Sequence, residues 1–208
     1  MKIKSLFFFM AALACLVSCK DRPVSIFNGE NLDGWYWQTV ADSLYSGDDT
    51  FTVMDGAIHI SGRPYGFIRT KEKYSNYVLT MQWRRLGEKP GDGGIYNFIQ
   101  DSEKMWPVGV QCQMTYDDLG MFMSGLPLEG VEPNDRGSYR LPRPGGNPEK
   151  PMGEWNDMVF DCGPDGRITI TLNGVGINSA KCSESEGYIG FQSEGSVMEF
   201  RNLAVTLR

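Results

Sequence analysis

Gln82, Arg84, Asn97, Gln111, Gln113, Gln192 and Glu194 all fall at polar positions of runs with β-strand character. Together they supply amide donors and acceptors, a guanidinium fork and one carboxylate. Sugar hydroxyls both donate and accept hydrogen bonds, so this inventory suits a polyhydroxylated ligand. The same set also fits a solvated sheet face, although such faces usually carry more Lys, Glu and Thr. Trp35, Tyr36, Trp37, Trp106 and Trp155 are rings able to stack on pyranose faces. Trp35 and Trp106 lie in turn-like sequence and are the preferred stacking candidates; core anchoring is the alternative for each.

Acid–base cleavage of a glycosidic bond normally uses two carboxylates that flank it. Glu194 is the first candidate, and Asp92, Asp117, Asp118 and Glu154 are loop carboxylates that could partner it. No spacing fixes any of them opposite Glu194. His59 is the single histidine, which argues against a His-based metal site and against a Ser-His-Asp triad. Neither a GxSxG elbow nor a phosphate loop is present. No metal ligand is nominated, and a divalent metal such as Ca²⁺ is left open as a cofactor.

These residues need a scaffold, and the chain reads as all-β. Short β-patterned runs occupy 51–54, 57–61, 67–70, 77–85, 94–99, 108–115, 157–162, 167–172, 175–180, 187–193 and 197–207, with turn residues between them. Many short strands at this spacing imply a sandwich or barrel. Asn173-Gly174 and Asp55-Gly56 are two-residue hairpin signals, because both positions tolerate positive φ. Tyr77, Leu79, Met81 and Trp83 alternate with polar neighbours, as do Val108, Val110, Cys112 and Met114. A period of two places each apolar set on the core face and each polar set away from it. Segment 116–153 breaks this pattern. It holds six of the eleven prolines, and its length favours an ordered loop beside a site.

The N-terminus sets the compartment. Lys2 and Lys4 precede an apolar run of about a dozen residues, shorter than the about 20 needed to span a bilayer. Leu16-Val17-Ser18-Cys19 resembles a lipobox, so residues 1–18 read as a leader and Cys19 as the lipidated N-terminus. Residues 19–25 then form a tether, and 26–208 a single domain. Such a protein is expected in the cell envelope, held by its lipid, most simply at the outer membrane. Two of the 20 basic residues leave with the leader; 18 then face 26 acidic residues, a net charge near −8. That field disfavours nucleic acid as a partner. Cys112, Cys162 and Cys182 remain, and Cys162–Cys182 is the disulfide to test in an oxidising compartment.

From Ile26 to Arg208 the sequence resembles the 3-keto-disaccharide hydrolase-like family. The phrases that carry this are Ile26-Phe27-Asn28-Gly29 with Asp33-Gly34-Trp35, Phe51-Thr52-Val53-Met54-Asp55-Gly56, Gly66-Phe67-Ile68-Arg69-Thr70, and Gly187-Tyr188-Ile189-Gly190-Phe191-Gln192-Ser193-Glu194-Gly195. The resemblance implies a concanavalin A-like jelly roll of two antiparallel sheets and a glycoside-hydrolase-like activity, with carbohydrate as the partner. It also implies chemistry on 3-keto-glycosides, where the ketone acidifies the C2 proton and a base expels the glycosidic oxygen by elimination. Two departures stand out. Gln111-Cys112-Gln113 replaces the family's usual Glu-x-Gln, and Asp92-Gly93-Gly94 replaces its Asn-Ser-Gly. The first leaves a non-catalytic glycan-binding protein as the second reading. In the enzymatic reading Arg84 and Gln113 position the sugar and Glu194 acts as acid or base, with Asp92 as a second carboxylate.

Overall fold

The computed structural model describes residues 22–42, 44–87, 91–102, 104 and 106–208. Residues 1–18, expected to be a leader, and Cys19 lie outside the described residues. Asn173 and Gly174 adopt φ of 50° and 80°, and Asp55 and Gly56 adopt 49° and 75°. Each pair therefore closes a tight hairpin, β13 (Arg167–Leu172) with β14 (Val175–Lys181) and β3 (Phe51–Met54) with β4 (Ala57–Ile60).

The remaining strands are β1 (Val24–Ser25), β2 (Trp35–Thr39), β5 (Gly66–Thr70), β6 (Tyr74–Ser75), β7 (Tyr77–Leu86), β8 (Gly94–Ile99), β9 (Val110–Gln113), β10 (Phe122–Ser124), β11 (Tyr139–Leu141), β12 (Asn156–Cys162), β15 (Glu186–Ser193) and β16 (Val197–Leu207). They form two antiparallel sheets packed as a sandwich. The first runs β14-β13-β12-β7-β16-β4-β3, with β1 on β16. The second runs β11-β10-β9-β8-β15-β5-β2, with β6 on β15. Sheet pairing begins at Val24, two residues before the expected start of the domain.

Between the sheets lies the apolar set that the alternation placed there. Tyr77, Leu79, Met81 and Trp83 from one sheet meet Ile95, Val110, Cys112 and Phe191 from the other, all buried. Burial of such side chains stabilises by roughly 1.5–3 kcal/mol each. Trp35 belongs to this core, with 3% exposure and its ring stacked on Phe191 at 5.7 Å, so it is not a stacking platform for ligand.

Cys162–Cys182 is also corrected, since all three cysteines are free and buried. Cys162 ends β12, whereas Cys182 follows β14, with β13 between them. Two strand spacings are about 9.5 Å, beyond the reach of a disulfide. Burial pushes the Cys162 thiol up to about 12, despite the hydrogen bond with Tyr77 that lowers it.

Segment 116–153 is ordered and only partly a loop. It contributes β10 and β11, which extend the second sheet past β9.

Candidate active site

The outer face of the second sheet forms the floor of an open cleft of about 540 Å³. Its floor is a chain of carboxamides. Tyr96 Oη donates to Gln111 Oε1 at 2.8 Å, and Gln111 Nε2 donates to Gln113 Oε1 at 2.7 Å and Gln192 Oε1 at 3.0 Å. Gln113 Nε2 reaches Asp92 Oδ2 at 3.4 Å. All three glutamines and Tyr96 are buried, so this face is not the solvated surface that alternation alone permits. Gly94 makes room for the chain: a Cβ there would lie 2.5 Å from Gln111 Nε2. A buried polar network of this kind is stable only because its members satisfy one another.

Two carboxylates stand at one wall. Asp92 and Glu194 face each other across an isolated antiparallel bridge, and both are partly exposed. Residues opposed in this way have Cβ atoms about 4.5–5.5 Å apart. Burial, then the Asp92 charge, pushes the Glu194 carboxyl up to about 7. Asp92 is also raised by burial, but Gly93 N donates to its Oδ1 at 2.7 Å and, with Gln113 and the Arg85 guanidinium, opposes the rise. The two acids thus sit in different surroundings, Asp92 with donors and a cation nearby to oppose its rise and Glu194 with none.

That wall is fixed from behind. Arg85 and Glu149 form a buried ion pair at 3.0 Å, with side chains 1% and 3% exposed. Arg85 Nη1 also bonds Gly91 O at 3.3 Å and Ser196 Oγ at 3.2 Å, and Ser196 N bonds Asp92 O at 3.0 Å. On its other side, Gly195 N bonds Gly62 O at 2.9 Å and Ser193 Oγ bonds Pro64 O at 3.0 Å. The segment that carries Gly62 and Pro64 ends at Tyr65. Its ring lies 6.3 Å from Trp106, which is 40% exposed and lines the cleft. The cleft is also lined by Met123, Arg136, Ser138 and Arg140, from β10, β11 and the turn before β11.

Of the residues nominated from sequence, Asp92, Trp106, Gln111, Gln113, Gln192 and Glu194 converge on the cleft, and so does Asp118. Three do not. Gln82 and Arg84 belong to β7 of the first sheet and face the opposite exterior of the sandwich. There Gln82 bonds Asp157 at 2.8 Å and Arg84 bonds Glu199 at 2.7 Å. Asn97 points into the core and accepts from Tyr77 Oη at 2.8 Å. The reason is parity: Tyr96 pairs with Gln111 on the cleft face, so its neighbour turns inward. Asp117 and Glu154 are exposed and do not line the cleft, and Trp155 packs under the guanidiniums of Arg84 and Arg201 at 4.5 and 3.8 Å. Sequence reasoning missed Tyr96, Arg85, Glu149, Arg136 and Arg140. Alternation in Tyr139-Arg140-Leu141 after the Asn134-to-Gly137 turn was the available signal for the last two.

Residues 22–206 match the 3-keto-alpha-glucoside-1,2-lyase-like domain. The chain belongs to that family. Among curated proteins no sequence matches. Family membership agrees with the fold seen in solved structures. A candidate glycosyl hydrolase from Parabacteroides distasonis is 20% identical with a TM-score of 0.61, covering 87% of this chain and 91% of its own. A carbohydrate binding module from Bacillus subtilis is 16% identical, with a TM-score of 0.54 over 83% of this chain and 95% of that one. The β-glucanase of Bacillus licheniformis is 12% identical, with a TM-score of 0.57 over 88% and 96%. These likenesses establish the concanavalin-like sandwich. No group of three or more His, Cys, Asp or Glu placed to hold a metal occurs among the described residues.

Proposed function

We propose that this protein is a lipid-anchored glycosidase of the bacterial cell envelope, acting on disaccharides or 3-keto-glycosides, with Glu194 as its acid–base group. The observation that carries this reading is the Asp92–Glu194 pair in the cleft wall, with Glu194 held near 7. A proton-transfer group works best when its pKa lies near the operating pH.

On a 3-keto-glycoside the chemistry needs only one such group. Glu194 takes the C2 proton, and the C–H electron pair passes toward the C3 ketone oxygen. The enolate pair returns to form C1=C2 as the C1–O bond breaks, and the departing oxygen receives the proton that Glu194 took. Water then adds across C1=C2, with no net oxidation. Gln192 Oε1 is occupied by Gln111, while its Nε2 has no acceptor among the described residues and would be the donor that polarises the ketone. The charge of Asp92 raises the Glu194 carboxyl and so makes it more basic. For an unoxidised disaccharide the same two carboxylates flank one glycosidic oxygen. Trp106 supplies an apolar ring for a sugar face. Cys19 carries the lipid that holds the cleft at the membrane.

A second reading, glycan binding without turnover, is favoured by one observation. Gln111 stands where the family often shows Glu, and its carboxamide is committed to three partners. Release of sugar from a panel of disaccharides and their 3-keto forms, with and without EDTA and added metals, separates the two. Turnover that falls by about 10²–10⁴-fold in Glu194→Gln supports the enzyme and its residue. Turnover unchanged in that variant removes Glu194 from the chemistry. Binding without release in the native protein makes the second reading correct.

A further inference from the structure

Among the described residues from Arg63 onward, nearly every guanidinium is matched. Arg84, Arg85, Arg167 and Arg208 meet carboxylates. Arg143 bonds a carbonyl through Nε while its buried Nη1 has no partner, Arg201 bonds Gln82, and Arg63 and Arg69 lie over tyrosine rings. The two exceptions are Arg136 and Arg140, and both line the cleft. They are presented deliberately. Asn134 Oδ1 accepts from the backbone N–H of Arg136 and of Ser138, at 3.0 and 3.1 Å, which locks the turn that carries Arg136. On β11, Tyr139 and Leu141 pack against the core, so Ser138 and Arg140 between and beside them face the cleft. Arg140 sits opposite Met123, another lining residue.

Charge makes this placement informative. The chain is acidic, with a formal net charge of −6, and the cleft already contains Asp92, Asp118 and Glu194. A neutral sugar needs no unpaired cations in the cleft that holds those acids. An anionic one does, because it would otherwise enter a cleft of like charge. Guanidinium is the side chain that recognises carboxylate, sulfate or phosphate through paired N–H donors. The protein's overall negative field is screened beyond about 8 Å at physiological salt, so the two local cations decide the balance within the cleft.

From this we infer that the cleft takes an anionic saccharide, its carboxylate or ester anion held by Arg136 and Arg140 while its ring lies against Trp106 and Glu194. The inference rests on the carbohydrate reading above and sharpens its substrate class.

Binding, rather than turnover, tests it. Matched glucosyl disaccharides would be titrated by calorimetry: neutral, carrying glucuronate in place of glucose, and carrying a 6-sulfate, each in α- and β-linked forms. The expected result is a preference of about tenfold or more for one anionic form, from one or two charge-assisted hydrogen bonds. That ratio should fall as salt rises from 50 to 500 mM, and approach one in the Arg136→Gln/Arg140→Gln chain. Preference for the uronate or for the sulfate identifies the source of the anion. Neutral and anionic sugars bound equally would overturn the inference and leave the carbohydrate reading standing. A preference that survives the double substitution would overturn the assignment to these arginines. Binding of no sugar at all would remove both.

Discussion

The two exteriors of the sandwich are built from the same residue types and do different things. On the first sheet, Glu199 takes Arg84 at 2.7 Å and His59 at 3.3 Å, and Gln82 is shared among Asp157, Arg201 and Asn202. Trp155 lies beneath two guanidiniums. Opposite charges there are matched across neighbouring strands, and the face is saturated. On the second sheet the glutamines satisfy one another, while Asp92, Glu194, Arg136 and Arg140 form no ion pair among the described residues. Charges left unmatched around a concave floor are available to a ligand, whereas matched charges stabilise the fold. Polarity alone does not distinguish a site from a surface; the state of pairing does.

The largest expected effect comes from the one ion pair that serves the cleft structurally. Arg85→Met leaves Glu149 buried with no cation, and the loop carrying Asp92 loses its bonds to Arg85. Breaking a buried pair by removing one partner costs about 3–5 kcal/mol. Chemical denaturation should show a loss of that size, and turnover should fall with it. A variant as stable as the native chain would mean that the wall is held by its bonds to Gly62 and Pro64 and by the bond between Ser196 and Asp92.

Next in size is Gln111→Glu, which sets a carboxylate in the middle of the carboxamide chain. Gln111 Nε2 donates to two acceptor oxygens, and a carboxylate in its place would confront both without a proton. Leaving buried groups unsatisfied costs about 1–3 kcal/mol. The loss should shrink at low pH, where the new carboxyl is protonated and donates again. Full stability at pH 8 would show that Gln113 and Gln192 rotate to present their N–H groups.

Much of the scaffold was legible because its signals are local. The period of two in Tyr77–Arg84 and the Asn173-Gly174 turn each fix geometry within a few residues. Gln111, Gln113, Gln192 and Glu194 came from the same reading as Gln82 and Arg84, and nothing local separates them. Which exterior a polar residue reaches depends on which sheet its strand joins, a property of pairings far apart in sequence. Asn97 was misplaced for a related reason, since its direction is set by the partner of Tyr96 on another strand. Arg136 and Arg140 escaped because β11 has three residues inside a proline-rich segment. Glu149 has no sequence mark at all, and only its burial against Arg85 reveals it.

Glu199→Gln tests the saturated face. It removes the carboxylate shared by Arg84 and His59 and should cost about 1 kcal/mol, the scale of a partly exposed charged pair. Turnover should not change, because the cleft lies on the other side of the core. A large loss of activity would mean that the two exteriors are coupled.

The same chemical change at Glu194 should move stability the other way. Its folded carboxyl is raised from 4.5 to about 7, so between those values the native state holds a proton that the unfolded chain has released. Stability contributed by that proton is fully present below about 4.5 and is lost as the pH rises toward 7. Above 7 the native chain carries a desolvated charge beside Asp92, and Glu194→Gln removes it. The variant should therefore equal the native protein near pH 4 and exceed it at pH 8, by under about 1 kcal/mol because the group is half exposed. Denaturation curves of both glutamine variants across this range would then diverge in sign at pH 8, Glu199→Gln losing stability and Glu194→Gln gaining it. A loss at both positions would mean that Glu194 has a cationic partner, and that the cleft is as fully paired as the face behind it.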